Sequence, residues 1–282
     1  VNGLNPQYND KNIDPSCGCG AFLIGLSEYY VSKFRKPIPI LLRENIFGVD
    51  ILSYNVRRTK ILLTLFGLLN NQIIREEDLN IVQVDSLKSN WVKLFKNNLS
   101  GKFNNVLGNP PYVKYQDLPD EMRIDLLERW KTIKKGNFNL YFAFFELGYN
   151  LLSNEGKLGY ITPNNYFTSL AGISLRDYFH TKKCVTEIID FNHKKVFDVL
   201  SYTAITFINR KRNFVILYDR IEENQNPKDF LKGLRTTKGN QEKINLIRSK
   251  KLIKIVHEVI KTDLISKGID KSRIKPRLGS SK

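Results

Sequence analysis

Two short segments hold residue types that could do chemistry. The first is Asn109-Pro110-Pro111-Tyr112. Two prolines cannot continue a central sheet ladder, so they stiffen the loop that follows the apolar run Asn105-Val106-Leu107-Gly108. Asn109 offers an amide oxygen, Pro110 a carbonyl without a donor, and Tyr112 a flat ring. Two acceptors and one aromatic face can hold a planar amino group; a rigid surface turn would use the same residues with no ligand. The second segment is Asp14-Pro15-Ser16-Cys17-Gly18-Cys19-Gly20, followed by apolar Ala21-Phe22-Leu23. Glycines at this spacing let the backbone approach a nucleotide-like ligand where a helix begins, although a plain strand-to-helix turn explains many such pairs. Asp50 adds weight to the first reading. It closes the apolar run Ile46-Phe47-Gly48-Val49, where a carboxylate can take both hydroxyls of a ribose or can cap the helix behind it.

These residues need elements that bring them together, and the periodicity supplies them. Residues 46–50 read as a buried strand, and 53–69 as a helix with Val56, Leu62, Leu63, Phe66 and Leu69 on its apolar face. Residues 81–85 and 105–108 read as strands, each ending in a polar residue or loop. Leu140, Phe144, Leu147 and Leu151 place a helix over 138–152. A Glu155-Gly156 turn launches a strand over 157–162 that Pro163 stops, and 184–191 and 202–209 are two further strands rich in β-branched residues. Strands alternating with helices specify a mostly parallel sheet covered on both faces.

Composition narrows the class. The chain has 282 residues, 45 Lys and Arg against 28 Asp and Glu, and a net charge of +17. A hydrophobic share of 41% is that of a globular protein and excludes a disordered chain. No apolar run approaches the roughly 18 residues of a membrane span. Three cysteines cannot form a disulfide framework, so a cytoplasmic setting is expected, and no leader is visible. With three histidines and no Cys-x-x-Cys, no metal site is expected. Cys17 and Cys19 lack a His-based partner that would make them nucleophiles. The charge is uneven: residues 228–282 hold 16 basic and 5 acidic residues. That tail fits a polyanion partner or plain solubility equally well. Lys194-Lys195 and Lys250-Lys251 read mainly as solvated, and Tyr29-Tyr30 and Trp91 as packing.

Taken together, Asp-Pro-Ser-Cys-Gly-x-Gly, Asp50, Asp85 and Asn-Pro-Pro-Tyr, in this order, resemble the amino-methyltransferases that use S-adenosylmethionine (AdoMet). Asn139-Leu140-Tyr141-Phe142 through Glu146 and Gly156-Lys157-Leu158 through Asn164 narrow the resemblance to the adenine-N6 DNA methyltransferases of restriction-modification and phage-defence systems. The subgroup is the one with its AdoMet motif before its catalytic motif, which includes fused restriction–methylation enzymes. The resemblance spans roughly residues 12–210 and is specific as a combination.

The resemblance implies a Rossmann-like fold: a mostly parallel seven-stranded sheet with an antiparallel last strand and helices on both faces. It implies that Asp14, Pro15, Cys17, Gly18, Cys19 and Gly20 line the cofactor pocket near the methionine part. By the same likeness Asp50 holds the ribose, Ile51 flanks the cofactor adenine, and Asp85 with Ser86 and Leu87 meets its amino group. Asn109, Pro110, Pro111 and Tyr112 become the catalytic loop. Tyr112 and Phe197 become the rings that stack on the target base, although Phe197 reads nearly as well as a core residue. The implied partners are double-stranded DNA with a flipped adenine and a restriction or specificity domain or subunit. Residues 1–220 are then the catalytic domain, lacking an upstream segment that closes over the cofactor. Residues 221–241 are a linker or loop, and 242–282 a basic helix, with Ile253, Val256, Val259, Ile260 and Leu264 on its apolar face, opening a missing target-recognition region. Val1 in place of Met points to a longer parent. Two rival readings stay open: a protein glutamine-N5 methyltransferase, which also handles a planar amide, and an inactive DNA-binding fragment.

Overall fold

The computed structural model describes residues 1–192, 194, 196, 202–222, 225–236 and 242–245. Its first half alternates strand and helix: β1 (Asn12–Asp14), α1 (Ala21–Phe34), α2 (Ile38–Glu44), β2 (Ile46–Asp50), α3 (Ser53–Leu69), β3 (Asn80–Gln83) and β4 (Phe103–Gly108). Then follow α4 (Asp120–Arg129), α5 (Tyr141–Leu151), β5 (Leu152–Pro163), α6 (Ile173–Lys182), β6 (Val185–Asp190), β7 (Thr203–Asn209), β8 (Val215–Arg220), α7 (Pro227–Thr236) and β9 (Glu242–Asn245).

The strands form one sheet in the order β3-β2-β1-β4-β5-β7-β6-β8-β9. β1 to β5 are parallel, and β7 runs antiparallel between β5 and β6. The expected seven-stranded sheet with its antiparallel last strand is therefore present, and two more strands extend its edge. β8 joins β6 in parallel and β9 joins β8 antiparallel.

Both faces are covered at the centre of the sheet, where β1 and β2 are buried along their whole length. On one face Leu23, Leu26 and Tyr30 of α1, Leu41 of α2 and Val56 and Leu63 of α3 pack over Ile46, Ile81 and Leu107. The other face holds an aromatic core around α5, which is buried on every side except at Asn150. A helix buried nearly all round belongs in the middle of a domain, and its one acid, Glu146, accepts the Lys131 and Thr132 N–H groups. Phe145 meets Phe179 at 5.2 Å and 90°, and Tyr160 at 5.5 Å. Full burial of a side chain such as Phe145 stabilises the fold by roughly 2–3 kcal/mol.

Local chemistry moved several boundaries. β3 stops at Gln83, before Asp85, because Asp85 Oδ1 accepts the Leu87 N–H at 2.9 Å and turns the chain. α5 begins at Tyr141 because the Leu140 N–H donates to the Val113 carbonyl at 2.8 Å, outside any helix. The Glu155-Gly156 turn lies within β5, as an irregularity where the β4–β5 register shifts between Phe103 and Asn105. Residues 221–241 are not simply a linker or loop. They contain α7, whose Phe230 packs edge-on against Phe191 at 6.1 Å. One apolar edge on a polar helix was enough to dock it. Residues 242–245 form a strand where a helix was expected, since the open edge of β8 supplies backbone partners. The basic helix over Ile253–Leu264 lies outside the described residues.

Candidate active site

Parallel pairing sets the carboxyl ends of β1, β2, β3 and β4 side by side at one edge of the sheet. After β1 the chain crosses to β2 on one side, while β4 lies on the other. Strand order reverses here, and this is where an open α/β sheet has its crevice.

Asp14 ends β1 and is buried. Its Oδ1 accepts the Ser16 N–H at 3.0 Å. Gly108, at the end of β4 with φ +151°, lies against the same carboxylate, and a Cβ there would sit 2.5 Å from Asp14 Oδ1. Only glycine allows the Asn109–Tyr112 loop to leave β4 this close to Asp14. Burial pushes the Asp14 carboxyl up to about 7; the Ser16 N–H pulls it down, and the charge of Asp50 adds to the rise.

Asp50 binds the neighbouring loops together. Its Oδ2 accepts the Gly18 N–H at 2.9 Å, and its Oδ1 accepts from Leu52 N at 2.9 Å and Asn55 Nδ2 at 3.1 Å. It thus braces the turn ahead of α3 without capping the helix, whose N-cap position is Leu52 with no side-chain cap bond, and it tethers the glycine loop. A carboxylate has about four acceptor positions, so three bonds leave roughly one for a ligand hydroxyl. Thr59 Oγ1 donates to the Gly18 carbonyl at 2.9 Å, fixing the loop from below.

The loop itself has the features of a polar cradle. Gly18 faces open space, with nothing within 4 Å of the position a Cβ would take. Ser16 Oγ is buried and finds no hydrogen-bond partner among the described residues. A buried hydroxyl of this kind fits a ligand that brings polar groups of its own. Cys17 is buried and tied by its N–H to the Val49 carbonyl at 2.8 Å. Burial raises its thiol well above the ordinary range, which suits packing and not nucleophilic attack. Cys19 is exposed.

On the far side of the crevice, Ile51 is 56% exposed, a large apolar side chain left in front of β2. Asp85 is half-buried, and its Oδ2 accepts no bond among the described residues. Ser86 is different. Its Oγ donates to the Pro15 carbonyl at 2.5 Å, so Ser86 and Pro15 brace the β3 loop against the β1 loop and the hydroxyl proton is spent. Leu87 is core.

Asn109 and Tyr112 meet at the mouth of the crevice. The Tyr112 hydroxyl donates to Asn109 Oδ1, with the Ile161 carbonyl as a second acceptor at 3.2 Å. Burial holds the phenol above its ordinary value, so it stays a donor. Pro110 is buried and Pro111 half-buried between them. The structure thus brings together Asp14, Gly18, Asp50, Asp85, Asn109 and Tyr112. Phe197 lies outside the described residues. Among the described residues no cluster of three or more His, Cys, Asp or Glu could hold a metal.

Ser16, Thr59, Gly108, Tyr141 and Asn165 belong to this region, and the sequence reading gave none of them a role of its own. Asn55 and Thr59, one turn apart on α3, were legible as polar residues on the side of the helix that also carries buried Val56 and Leu63. Ser16 sat inside the motif. Gly108 and Tyr141 also sat inside quoted segments, but their contacts, and the place of Asn165, are set by packing.

An acceptor-rich loop after β4, beside a cradle after β1 and a carboxylate after β2, on a sheet of this order, defines the class I methyltransferase fold. Solved structures agree on the fold. A type I restriction-modification methyltransferase subunit from Streptococcus thermophilus aligns over 92% of this chain and 53% of its own, with a TM-score of 0.64 and 16% identity. The DrdV–DNA complex aligns over 88% of this chain and 28% of its own, with a TM-score of 0.66 and 17% identity. Residues 44–197, more than half of the chain, match the Eco57I restriction-modification methylase family, and the chain belongs to that family. Among curated relatives, the type II restriction enzyme and methyltransferase RM.Eco57I of Escherichia coli is 26% identical over 73% of this chain and 25% of its own length. The type II methyltransferase M.BanIII of Aneurinibacillus aneurinilyticus is 27% identical over 75% of this chain and 35% of its own. The chain thus spans between a quarter and just over a third of these relatives.

Proposed function

We propose that this chain is the catalytic part of a site-specific DNA methyltransferase that moves a methyl group from AdoMet to adenine N6, within a restriction-modification system. The observation that carries this reading is the hydrogen bond from the Tyr112 hydroxyl to Asn109 Oδ1 at the end of β4, next to the Asp14 crevice.

The cradle residues fit AdoMet. Asp14 would take its ammonium group, Ser16 Oγ and the Gly18–Gly20 backbone would meet the methionine end, and the remaining acceptor position of Asp50 would take a ribose hydroxyl. Ile51 would lie on the cofactor adenine, and Asp85 Oδ2 would accept from its amino group. When bound, AdoMet supplies an electrophilic methyl group on its sulfonium.

The chain's own contribution is to prepare the nucleophile. The lone pair of an adenine amino group is delocalised into the ring. Asn109 Oδ1 and the Pro110 carbonyl would accept both of its N–H bonds and draw the nitrogen toward tetrahedral geometry, freeing the lone pair. The Tyr112 hydroxyl first has to leave Asn109 Oδ1, and the Ile161 carbonyl is at hand to receive it. The Tyr112 ring then stacks on the flipped base and offsets part of the few kcal/mol of unstacking. Positioning and electrostatics are the whole of this contribution. The charge of +17 supports a polyanionic substrate over a protein glutamine, and binding should weaken steeply with salt. The lengths of the relatives support a further specificity or restriction region acting with this part. We read residues 1–220 as the catalytic body, with α7 and β9 finishing the edge of its sheet.

The test is methyl incorporation from labelled AdoMet into plasmid DNA and, separately, into cell protein, with nucleosides resolved by mass spectrometry. Label in N6-methyladenine is expected. Label confined to protein, or none at all, rejects the proposal.

A further inference from the structure

Tyr141, the first residue of α5, is fully buried and rests on Phe142 and Tyr166 at 4.6 and 6.4 Å. Its ring meets that of Tyr112 edge-on at 6.0 Å and 85°, so it backs the catalytic loop directly. Its hydroxyl donates to Asn165 Oδ1 at 2.6 Å and lies 3.1 Å from the Pro163 carbonyl. A phenol has one proton, and the shorter contact is the one to the amide. Burial holds this phenol well above its ordinary value, so the proton stays. With Oδ1 engaged inward, the donor end of the amide, Nδ2, is the end left to the outside. Asn165 is exposed. Its neighbour Asn164 is not available in the same way, since its Nδ2 donates to buried Asp190 at 2.9 Å. Of two adjacent asparagines after β5, one anchors the turn and one displays a donor, one aromatic ring away from Tyr112.

We propose that Asn165 reads the ring of the target base, its Nδ2 donating to adenine N1, and that Tyr141 is the positioning residue that orients the amide for this contact. The inference rests on the adenine reading above. Asn109 Oδ1 and the Pro110 carbonyl are acceptors for the two amino protons, and N1 beside them is an acceptor that needs a donor. Acceptor, acceptor and donor in a row complement adenine. Guanine and thymine carry a proton on the matching ring nitrogen and would face Nδ2 with a second donor, which leaves two groups unpaired.

The test uses the full chain, AdoMet and a duplex carrying the site found by mapping N6-methyladenine in plasmid DNA. The target adenine is replaced in turn by 1-deazaadenine and 7-deazaadenine. Asn165→Ala should lower kcat/KM on adenine by about tenfold, the usual size of one lost hydrogen bond to a well-placed group. The wild type should lose a similar factor on 1-deazaadenine and little on 7-deazaadenine. Asn165→Ala should show no further loss on 1-deazaadenine, and Tyr141→Phe should fall between the wild type and Asn165→Ala. AdoMet affinity and melting temperature should stay those of the wild type for Asn165→Ala. Losses that multiply, a sensitivity that follows N7, or an Asn165→Ala enzyme within twofold of wild type overturn the inference while leaving adenine methylation intact. A wild type that makes no N6-methyladenine overturns the function itself, and the inference with it.

Discussion

The raised carboxyl of Asp14 gives the site a pH signature. Burial moves its pKa from 3.8 to about 7. If the ionised form takes the ammonium of AdoMet, the affinity of the chain follows the fraction of Asp14 that is deprotonated. Between pH 8 and pH 6 that fraction drops from about nine-tenths to about one-tenth, so Kd for AdoMet should rise roughly tenfold. An aspartate at its ordinary value would be ionised throughout and give a flat profile. Stability should run the other way. A carboxyl raised on folding binds its proton more tightly in the native state, so its contribution is complete below 3.8 and is lost as pH rises through 7. The three-unit shift corresponds to roughly 4 kcal/mol lost between those limits. Titration calorimetry with AdoMet from pH 6 to 8, alongside urea melts over pH 5 to 8, measures both. Asp14→Asn should remove both slopes, with AdoMet binding weak at every pH. A wild-type affinity that does not vary between pH 6 and 8 would refute the reasoning, because it would mean that Asp14 is already ionised or does not touch the cofactor.

Other substitutions separate the roles within the site. On the proposed mechanism, Asn109→Ala should abolish methyl transfer and leave the Kd for AdoMet within a few-fold, because it removes an acceptor for the base and not for the cofactor; comparable turnover by this variant in a labelled-methyl assay would sink the amino-group mechanism. Tyr112→Phe keeps the stacking ring and frees Asn109 Oδ1 from its intramolecular donor, so it should retain most activity, while Tyr112→Ala should lose roughly 5- to 150-fold in kcat/KM, the ~1–3 kcal/mol of a stacked base. Equal loss in the two variants would place the role of Tyr112 in its hydroxyl. Phe145→Ala should destabilise the fold by about 3–5 kcal/mol, read from denaturant midpoints, since the ring sits in the aromatic core between Tyr160, Tyr166 and Phe179. Gly108→Ala should cost AdoMet binding and activity together, since its Cβ would press on Asp14 Oδ1.

The alternation of apolar strands with amphipathic helices determined the mostly parallel sheet; Asp50, Asp85, Asn109 and Tyr112 were legible because each sits at or just beyond the end of an apolar run, and Asp14 and Gly18 because they fall in a glycine-rich segment ahead of an apolar helix start. Local pattern suffices for that, as every parallel strand delivers its carboxyl end to the same edge. It did not decide how the motif residues divide their work. Asp50 spends most of its acceptor capacity on Gly18, Leu52 and Asn55, and Ser86 spends its proton on Pro15. Those partners lie up to 71 residues apart in the chain, and no spacing rule reaches that far. The edge of the sheet was also beyond local reading. Residues 227–236 and 242–245 are polar, and they take up helix and strand because Phe191 and the open side of β8 offer them a surface and a backbone ladder. The contact from Tyr141 through Asn165 likewise exists only once α5 and the turn after β5 are packed together. Residue type and period fix what an element is where its own apolar pattern is strong, whereas edge elements and the direction of a hydrogen bond depend on which atoms packing leaves within reach of each other.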